Sequence, residues 1–326
     1  MHVTDKPGVA VIMPVLNEEN YLDASVTAIL TQNYDGPMEI VLALGPSTDQ
    51  TNRVAHDLTQ RDPRIRTVEN PTGRTPEGLN AAIGATSMDV IVRVDAHCEL
   101  SSGYIETAIA TLQRSGADNV GGIMDAQGIT PFECAVAAAM SSPLGVGGAS
   151  FHTGGQEGEA ETVYLGVFKR AALNRVGGYD PHFTRAQDWE MNYRLRATGG
   201  TVWFNPELRV TYRPRSSLRA LAKQYFQYGQ WRREVMRTHP DTVSKKSALR
   251  YFAPPSAVAG SLLGAIVGVA GIPIGFVLPI GYLAIEALSS LTLARKAKRG
   301  AAWIPLVLLT MHVTWGIGFL TSRPKR

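Results

Sequence analysis

The sequence predicts an α/β protein, a mixed sheet with helices on both faces, followed by an interfacial helix and a C-terminal helical membrane region. Three patterns carry this expectation. Short β-branched runs alternate with amphipathic stretches up to residue 114, a cationic and aromatic helical stretch fills 216–239, and apolar runs broken mainly by Gly and Pro occupy 256–320.

Strands are predicted at 9–15, 39–44, 65–69 and 89–94, each bounded by turn residues, with helices at 18–31, 49–60, 75–85 and 101–114 between them. Such alternation lays strands parallel, and ligands of these sheets bind outside the strands' carboxyl ends. Asn17 and Glu18, the turn 45–49, the segment 70–74 and residues 95–97 occupy those ends. Beyond residue 118 the pattern loosens. Strands at 119–123, 162–168 and 201–204 surround a Gly-rich stretch, 143–159, which reads as a mobile loop because it can build no core of its own. The helix at 216–239 carries aromatics (Tyr225, Phe226, Tyr228, Trp231) beside cations (Arg219, Lys223, Arg232, Arg233, Arg237), as suits a membrane interface. Residues 1–215 are therefore expected to form a cytosolic domain, 216–250 an interfacial helix and linker, and 251–326 a membrane region with two to three helical segments.

Residues 256–293 contain a single acid, Glu286, and run for nearly twice the roughly 20 residues that one span needs. Gly271, Ile272 and Pro273 near their middle predict two spans joined by a tight turn. Lys245, Lys246 and Arg250 precede this hairpin and Arg295, Lys296, Lys298 and Arg299 follow it, which places both its ends in the cytosol. A third apolar stretch, 303–320, would carry Arg323, Lys325 and Arg326 outside if it crossed, so it is expected to lie in the interface or re-enter.

Lys+Arg number 32 against 28 Asp+Glu, a net charge of +4 that predicts no nucleic-acid partner. The apolar tail excludes a purely soluble protein, and the polar first part excludes a wholly integral transporter. The run at 9–16 meets Asn17, Glu18 and Glu19 at once and lacks the length and flanks of a signal peptide. Cys98 and Cys134 are too few for a disulfide framework and read as inert thiols.

Val94-Asp95-Ala96-His97 puts an acid and then an imidazole directly after a buried strand. A carboxylate with a second ligand can hold Mg²⁺ or Mn²⁺ against a diphosphate whose charge must be neutralised as a glycosidic bond breaks. That motif occurs in order with Val11-Ile12-Met13-Pro14-Val15-Leu16-Asn17-Glu18, Pro46-Ser47-Thr48-Asp49-Gln50-Thr51, Gly78-Leu79-Asn80-Ala81-Ala82-Ile83 and Gln187-Asp188-Trp189-Glu190-Met191-Asn192-Tyr193-Arg194-Leu195. Together these resemble the inverting glycosyltransferases of family 2, with a GT-A (Rossmann-like) fold, and within them the membrane-associated branch that includes succinoglycan-type polysaccharide transferases.

The resemblance implies a nucleotide-sugar donor, a UDP-sugar, held by Pro14, Asn17, Glu18, Asp49, Arg74, Asn80 and Asp95. It implies Mn²⁺ or Mg²⁺ on Asp95 and His97, with His97 in place of the family's second Asp. Asp188 matches the catalytic base, although Gln187 replaces the acid before it, and Glu190 is the nearest alternative. In a direct displacement such a carboxylate takes the acceptor hydroxyl's proton. Trp189 is expected to wall the acceptor site. Gln227, Trp231 and Arg232 resemble an element that stacks the terminal sugar and binds diphosphate, with Gln230 where that element has Arg and Arg233 close enough to substitute. Phe151 and His152 are expected to meet the acceptor, a lipid-linked (polyprenyl) intermediate or glycolipid of cell-envelope assembly at the membrane. The departures at His97, Gln187 and Gln230 leave one alternative, a membrane-anchored, non-catalytic nucleotide-sugar-binding or scaffold protein, against which Asp95 and Asp188 stand.

Overall fold

The computed structural model describes residues 6–242 and 245–324, with side chains except at 245–247 and 298. The side chains of Lys245, Lys246 and Lys298, and all of Lys325 and Arg326, which entered the charge count of the tail, lie outside the described residues. Two compact units divide the chain, one of Met1–Asp125 with Gly154–Tyr212, the other of Ala126–Thr153 with Arg213–Arg326. Residues 126–153, which the sequence placed with the first domain, group with the tail.

The first unit opens with β1 (Val9–Val15), α1 (Leu22–Leu30), β2 (Met38–Leu44), α2 (Thr51–Arg61), β3 (Ile65–Glu69), α3 (Thr75–Gly84), β4 (Val90–Arg93) and the short β5 (Glu99–Leu100). It continues through α4 (Tyr104–Ser115) and β6 (Asn119–Ala126). The chain then passes through α5 (Pro131–Met140), α6 (Pro143–Val146) and α7 (Ser150–Thr153) of the second unit. It returns as β7 (Gly158–Glu159), β8 (Tyr164–Lys169), α8 (Arg170–Val176), α9 (Gln187–Ala197) and β9 (Val202–Tyr212).

The strands form one mixed sheet, ordered β3-β2-β1-β4-β8-β6-β9-β5, with β7 on β9. The first four are parallel, Val9 to Val15 of β1 facing Met38 to Leu44 of β2, and Ile12 facing Arg93 of β4. Alternation along β1 sends Val9, Val11, Met13 and Val15 to one core with α1, α2 and α4, and Ala10 and Ile12 to the other with α3, α8 and α9. Both faces are thus covered, as parallel strands require. Strand order reverses between β1 and β4, so the loops leaving their carboxyl ends diverge and leave a crevice between them. Pro14, with no N–H to give, sits just beyond the last β1–β4 pair, where the two strands part.

Two expectations need correction. The Gly-rich stretch is ordered as α6, α7 and β7: Ser142 Oγ accepts the Leu144 N–H at 3.2 Å, and Gly147, at φ 73°, ends the turn. The last strand runs to Tyr212, because the burial of Leu208, Val210 and Tyr212 continues the alternation past Pro206, which reads as a stop in the sequence.

The second unit adds α10 (Leu218–Thr238), α11 (Lys245–Val269), α12 (Val277–Ala297) and α13 (Ile304–Thr321). Three stretches, Ala248–Val269, Pro273–Ala297 and Arg299–Thr321, are long and apolar enough to cross a membrane. The third is thus of full length and is the most covered of the three. It packs along α10, where a Cβ on Gly229 would strike the Trp315 carbonyl and one on Gly318 the Phe226 carbonyl, so glycine alone permits this approach. Arg233 donates to the carbonyls of Phe319 at 2.9 Å and Leu320 at 2.8 Å, and Arg237 to that of Ser322 at 2.6 Å, satisfying the open end of α13. The same end meets the start of α11, with Phe252 against Phe319 at 5.9 Å between ring centroids and Gly316 against the Pro254 carbonyl. Glu286 of α12 pairs with His312 Nδ1 of α13 at 2.5 Å, a polar tie between two apolar helices.

Gly229→Val should loosen α10 from α13 by at least the 1–3 kcal/mol typical of overpacking, since backbone atoms stand in the way. Thermal unfolding in detergent checks this, and an unchanged midpoint would count against the close contact.

Candidate active site

The segments after β1, β2 and β4 come together at the sheet's switch point. After β1 the chain turns at Asn17, held at φ 56°, a left-handed conformation that Asn tolerates better than most residues. Its Oδ1 accepts the Thr48 N–H at 2.8 Å, and the Glu18 N–H donates to Thr51 Oγ1 at 2.7 Å. Asp49 Oδ1 accepts the Thr51 N–H at 3.0 Å and its hydroxyl at 2.5 Å, and Oδ2 accepts the Glu19 N–H at 3.4 Å. The hydroxyl bond from Thr51 holds the Asp49 carboxyl below its usual range. The loops after β1 and β2 are therefore laced into one platform.

Beside it the segment after β4 places His97, whose Nδ1 lies 2.8 Å from Glu18 Oε1. A carboxylate on one ring nitrogen fixes the tautomer so that the other can ligate a metal. Burial pushes the Asp95 carboxyl up, but Arg93, His97 and Arg185 outweigh it and hold Asp95 below the ordinary value, ionised and fit for a hard cation. Cys98 completes a group whose ligand atoms lie within 4.8 Å of one another. Its thiol is fully buried, 3.3 Å from the Tyr164 hydroxyl, and burial drives its pKa far up, so it stays a neutral thiol and leaves an O,N pair suited to Mn²⁺ or Mg²⁺.

Arg93 is the residue that sequence reasoning passed over. It ends β4 at 3% exposure, and its guanidinium donates to Asp95 Oδ1 from Nη2 at 3.0 Å and to Asp188 Oδ1 from Nη1. The ring of Tyr179 lies 5.8 Å from it. A guanidinium inside a strand otherwise made of Val and Ile is the signal that was available, because a buried charge needs acid partners.

Asp188 comes from the first turn of α9, and Ala186 before it adopts φ 61°, a strained conformation for a residue with a Cβ. Burial first, and then the nearby Asp95 charge, raise the Asp188 carboxyl to about 6 against the opposing pull of Arg93. The helix start alone would have kept it lower. A carboxylate at this value is ionised at neutral pH and still basic enough to accept a proton.

Residues 10–176 match the profile of Glycosyl transferase family 2. The succinoglycan biosynthesis protein ExoA of Rhizobium meliloti (strain 1021) is 30% identical over 95% of this chain and 93% of its own. The chain belongs to glycosyltransferase family 2. A Methanococcus voltae dolichyl N-acetyl-alpha-D-glucosaminyl phosphate 3-beta-D-2,3-diacetamido-2,3-dideoxy-beta-D-glucuronosyltransferase is 26% identical over 68% of the chain and 71% of its own. Among solved structures, the mannosyltransferase PcManGT from Pyrobaculum calidifontis, in complex with GDP-Man and Mn²⁺, superposes with TM-score 0.63 at 18% identity, covering 98% of this chain and 88% of that one. S. aureus TarS 1–349 with UDP-GlcNAc gives 0.51 at 14%, covering 92% and 90%. These likenesses show the GT-A type of fold.

In this family 2 chain, the remaining expected residues take varied places. Asn80 spends both ends of its amide on Tyr179, donating to its carbonyl at 2.7 Å and accepting its N–H at 2.8 Å, and Arg74 donates to the Pro181 carbonyl and pairs with Glu77 at 2.8 Å. Both hold the segment that leads into α9. Trp189, expected to wall the acceptor site, is buried and stacks on Tyr193 with centroids 5.9 Å apart. Glu190 is 1% exposed and grips Arg194 through both oxygens, at 2.6 and 2.7 Å, which removes it as an alternative base. His152, Gln227, Trp231 and Arg232 belong to the second unit. There Trp231 is buried, Arg232 lies 4.5 Å from the Tyr251 ring, and Phe151 lies 4.3 Å from the His152 ring. Burial and then Arg250 lower the His152 pKa to about 3, which leaves a neutral imidazole. Arg233, expected as a substitute diphosphate ligand, is instead engaged at the end of α13.

Ala186→Gly should relieve the strained turn, with a gain of up to about 1 kcal/mol in unfolding stability, while lowering sugar transfer because Asp188 is held less firmly. Thermal unfolding and turnover measured together check this. A clear loss of stability would show that the turn is unstrained.

Proposed function

We propose that this glycosyltransferase performs an inverting, metal-dependent transfer from a nucleotide-diphosphate sugar, a UDP-sugar, to a lipid-linked acceptor at the cytosolic face of a membrane, in envelope polysaccharide or glycolipid assembly. One observation carries it: a carboxylate suited to a donor metal, Asp95, and a carboxylate suited to a base, Asp188, share one buried guanidinium at the carboxyl ends of the sheet. The nucleotide sugars held by the two structural neighbours, Mn²⁺ in one of them, and the dolichyl-linked substrate named for the archaeal relative support it.

Asn17, Glu18 and Asp49 present the nucleotide platform, and Asp95 with His97 would hold the metal. A bound divalent ion would neutralise charge on the leaving diphosphate. Asp188 takes the proton of the acceptor hydroxyl as its oxygen bonds to the anomeric carbon, while the bond to the diphosphate breaks and its electron pair leaves with the nucleotide. Since Asp188 must be ionised, transfer should rise with pH through about 6 and level off above it. At saturating Mn²⁺, Asp188→Asn should lower turnover by about 10² to 10⁴ and leave UDP-sugar affinity nearly unchanged. Near-normal transfer by this variant would move the role elsewhere, and lost donor affinity would make Asp188 a binding residue.

The tail's orientation follows from closure. Because the end of α13 meets the start of α11, the path through α11, α12 and α13 returns to where it began, and a closed path crosses a bilayer an even number of times. Arg250, and Arg295 with Lys296 and Arg299, mark the junctions at the start of α11 and between α12 and α13, while the α11–α12 turn, 270–276, carries no charge. The hairpin therefore crosses, with its turn outside, and α13 keeps both its ends on the cytosolic side while its middle, at His312, meets Glu286 of α12. Cysteines at 271 and 323 should be labelled from outside and inside respectively in intact cells; labelling of 323 from outside would mean a third crossing.

A further inference from the structure

We infer that Arg93 is a positioning residue that couples the donor metal site to the base, so that Asp188, which lies outside the candidate ligand group, tunes the metal affinity of Asp95. The inference rests on the proposed function. Its basis is geometric: one planar, buried guanidinium is gripped from two sides, by Asp95 Oδ1 at 3.0 Å from Nη2 and 3.4 Å from Nε, and by Asp188 Oδ1 on Nη1. The Tyr179 ring beside it is fixed in turn by the Asn80 amide on the Tyr179 backbone. Arg93 itself is buried, so its single positive charge is divided between the two carboxylates and is less screened than a surface charge would be. A divalent cation at Asp95 would compete with Arg93 for the carboxylate whose Oδ1 it holds. The more of Arg93's charge Asp188 takes, the less the cation must displace.

The coupling has a sign. Removing the Asp188 charge turns Arg93 wholly upon Asp95 and should weaken metal binding there, although the altered residue is no ligand. In return, a cation on Asp95 directs Arg93 to Asp188 and favours the ionised base once the donor complex has formed. A rigid fork with five donors does this, whereas a single ammonium cannot bridge both acids.

The test is a double-mutant cycle on the full chain in detergent, titrating Mn²⁺ calorimetrically in the presence of UDP. Asp188→Asn should weaken Mn²⁺ by about tenfold alone and by less than about twofold in an Arg93→Met background. Where Arg93→Met does not fold, Arg93→Lys takes its place and should likewise shrink the effect. An unchanged Mn²⁺ affinity in Asp188→Asn, or the same loss in both backgrounds, overturns the coupling while leaving the proposed reaction standing. No Mn²⁺ binding by the unaltered chain overturns the metal-dependent reading and the coupling together. A merely structural Arg93 would lower stability in every variant that lacks it and would not make the Asp188 effect depend on residue 93.

Discussion

A guanidinium buried at the end of a parallel strand is the constraint on which this molecule's site depends. Arg93 occupies a position where the neighbouring strand residues are Val and Ile, and its charge can persist there only if acids come to it. One acid follows two residues along the same chain. The other is brought from α9, far away in sequence, by a turn strained at Ala186 and by a segment that Asn80 and Arg74 tie down. Sheet order supplies the crevice, and Arg93 decides which side chains meet in it.

Much of the fold was legible because hydrophobic period and turn residues act locally. The four parallel strands stand close to where the β-branched runs placed them, and the crevice follows from their order. Asn17, Glu18, Asp95 and His97 stand out by position, as residues just past a strand, while their expected roles came from the family resemblance. Other features were hidden because they depend on distant partners. Trp189 and Glu190 meet partners one turn on, Tyr193 and Arg194, but that Asp188 would meet the buried Arg93 depended on a residue far off in the chain. The motif around Gln227 to Arg232 was read for chemistry, yet its glycine serves backbone contact with α13, which lies outside any local window. Arg93 was visible as an oddity, but its meaning required Asp188, remote in the chain.

The second unit shows the same division of labour between polar ties and close packing. Apolar surface on α11 and α12 faces outward, as lipid demands, and gives little direction to their pairing. Specificity comes from small residues that admit a neighbouring backbone, from the Glu286–His312 pair, and from arginines on the last carbonyls of α13. That end would otherwise leave polar groups unsatisfied among apolar side chains.

The docking of α13 on α10 also orders events during synthesis. The groove face of α10 around Gly229 leaves the ribosome well before its partner, with α11 and α12 made in between. At 5–20 residues per second that is a wait on the order of several seconds. Until then Arg233 and Arg237 lack the carbonyls they later hold, and Trp231 sits beside a face not yet covered. The nascent chain thus carries a sticky helix, which stays uncovered until α13 arrives.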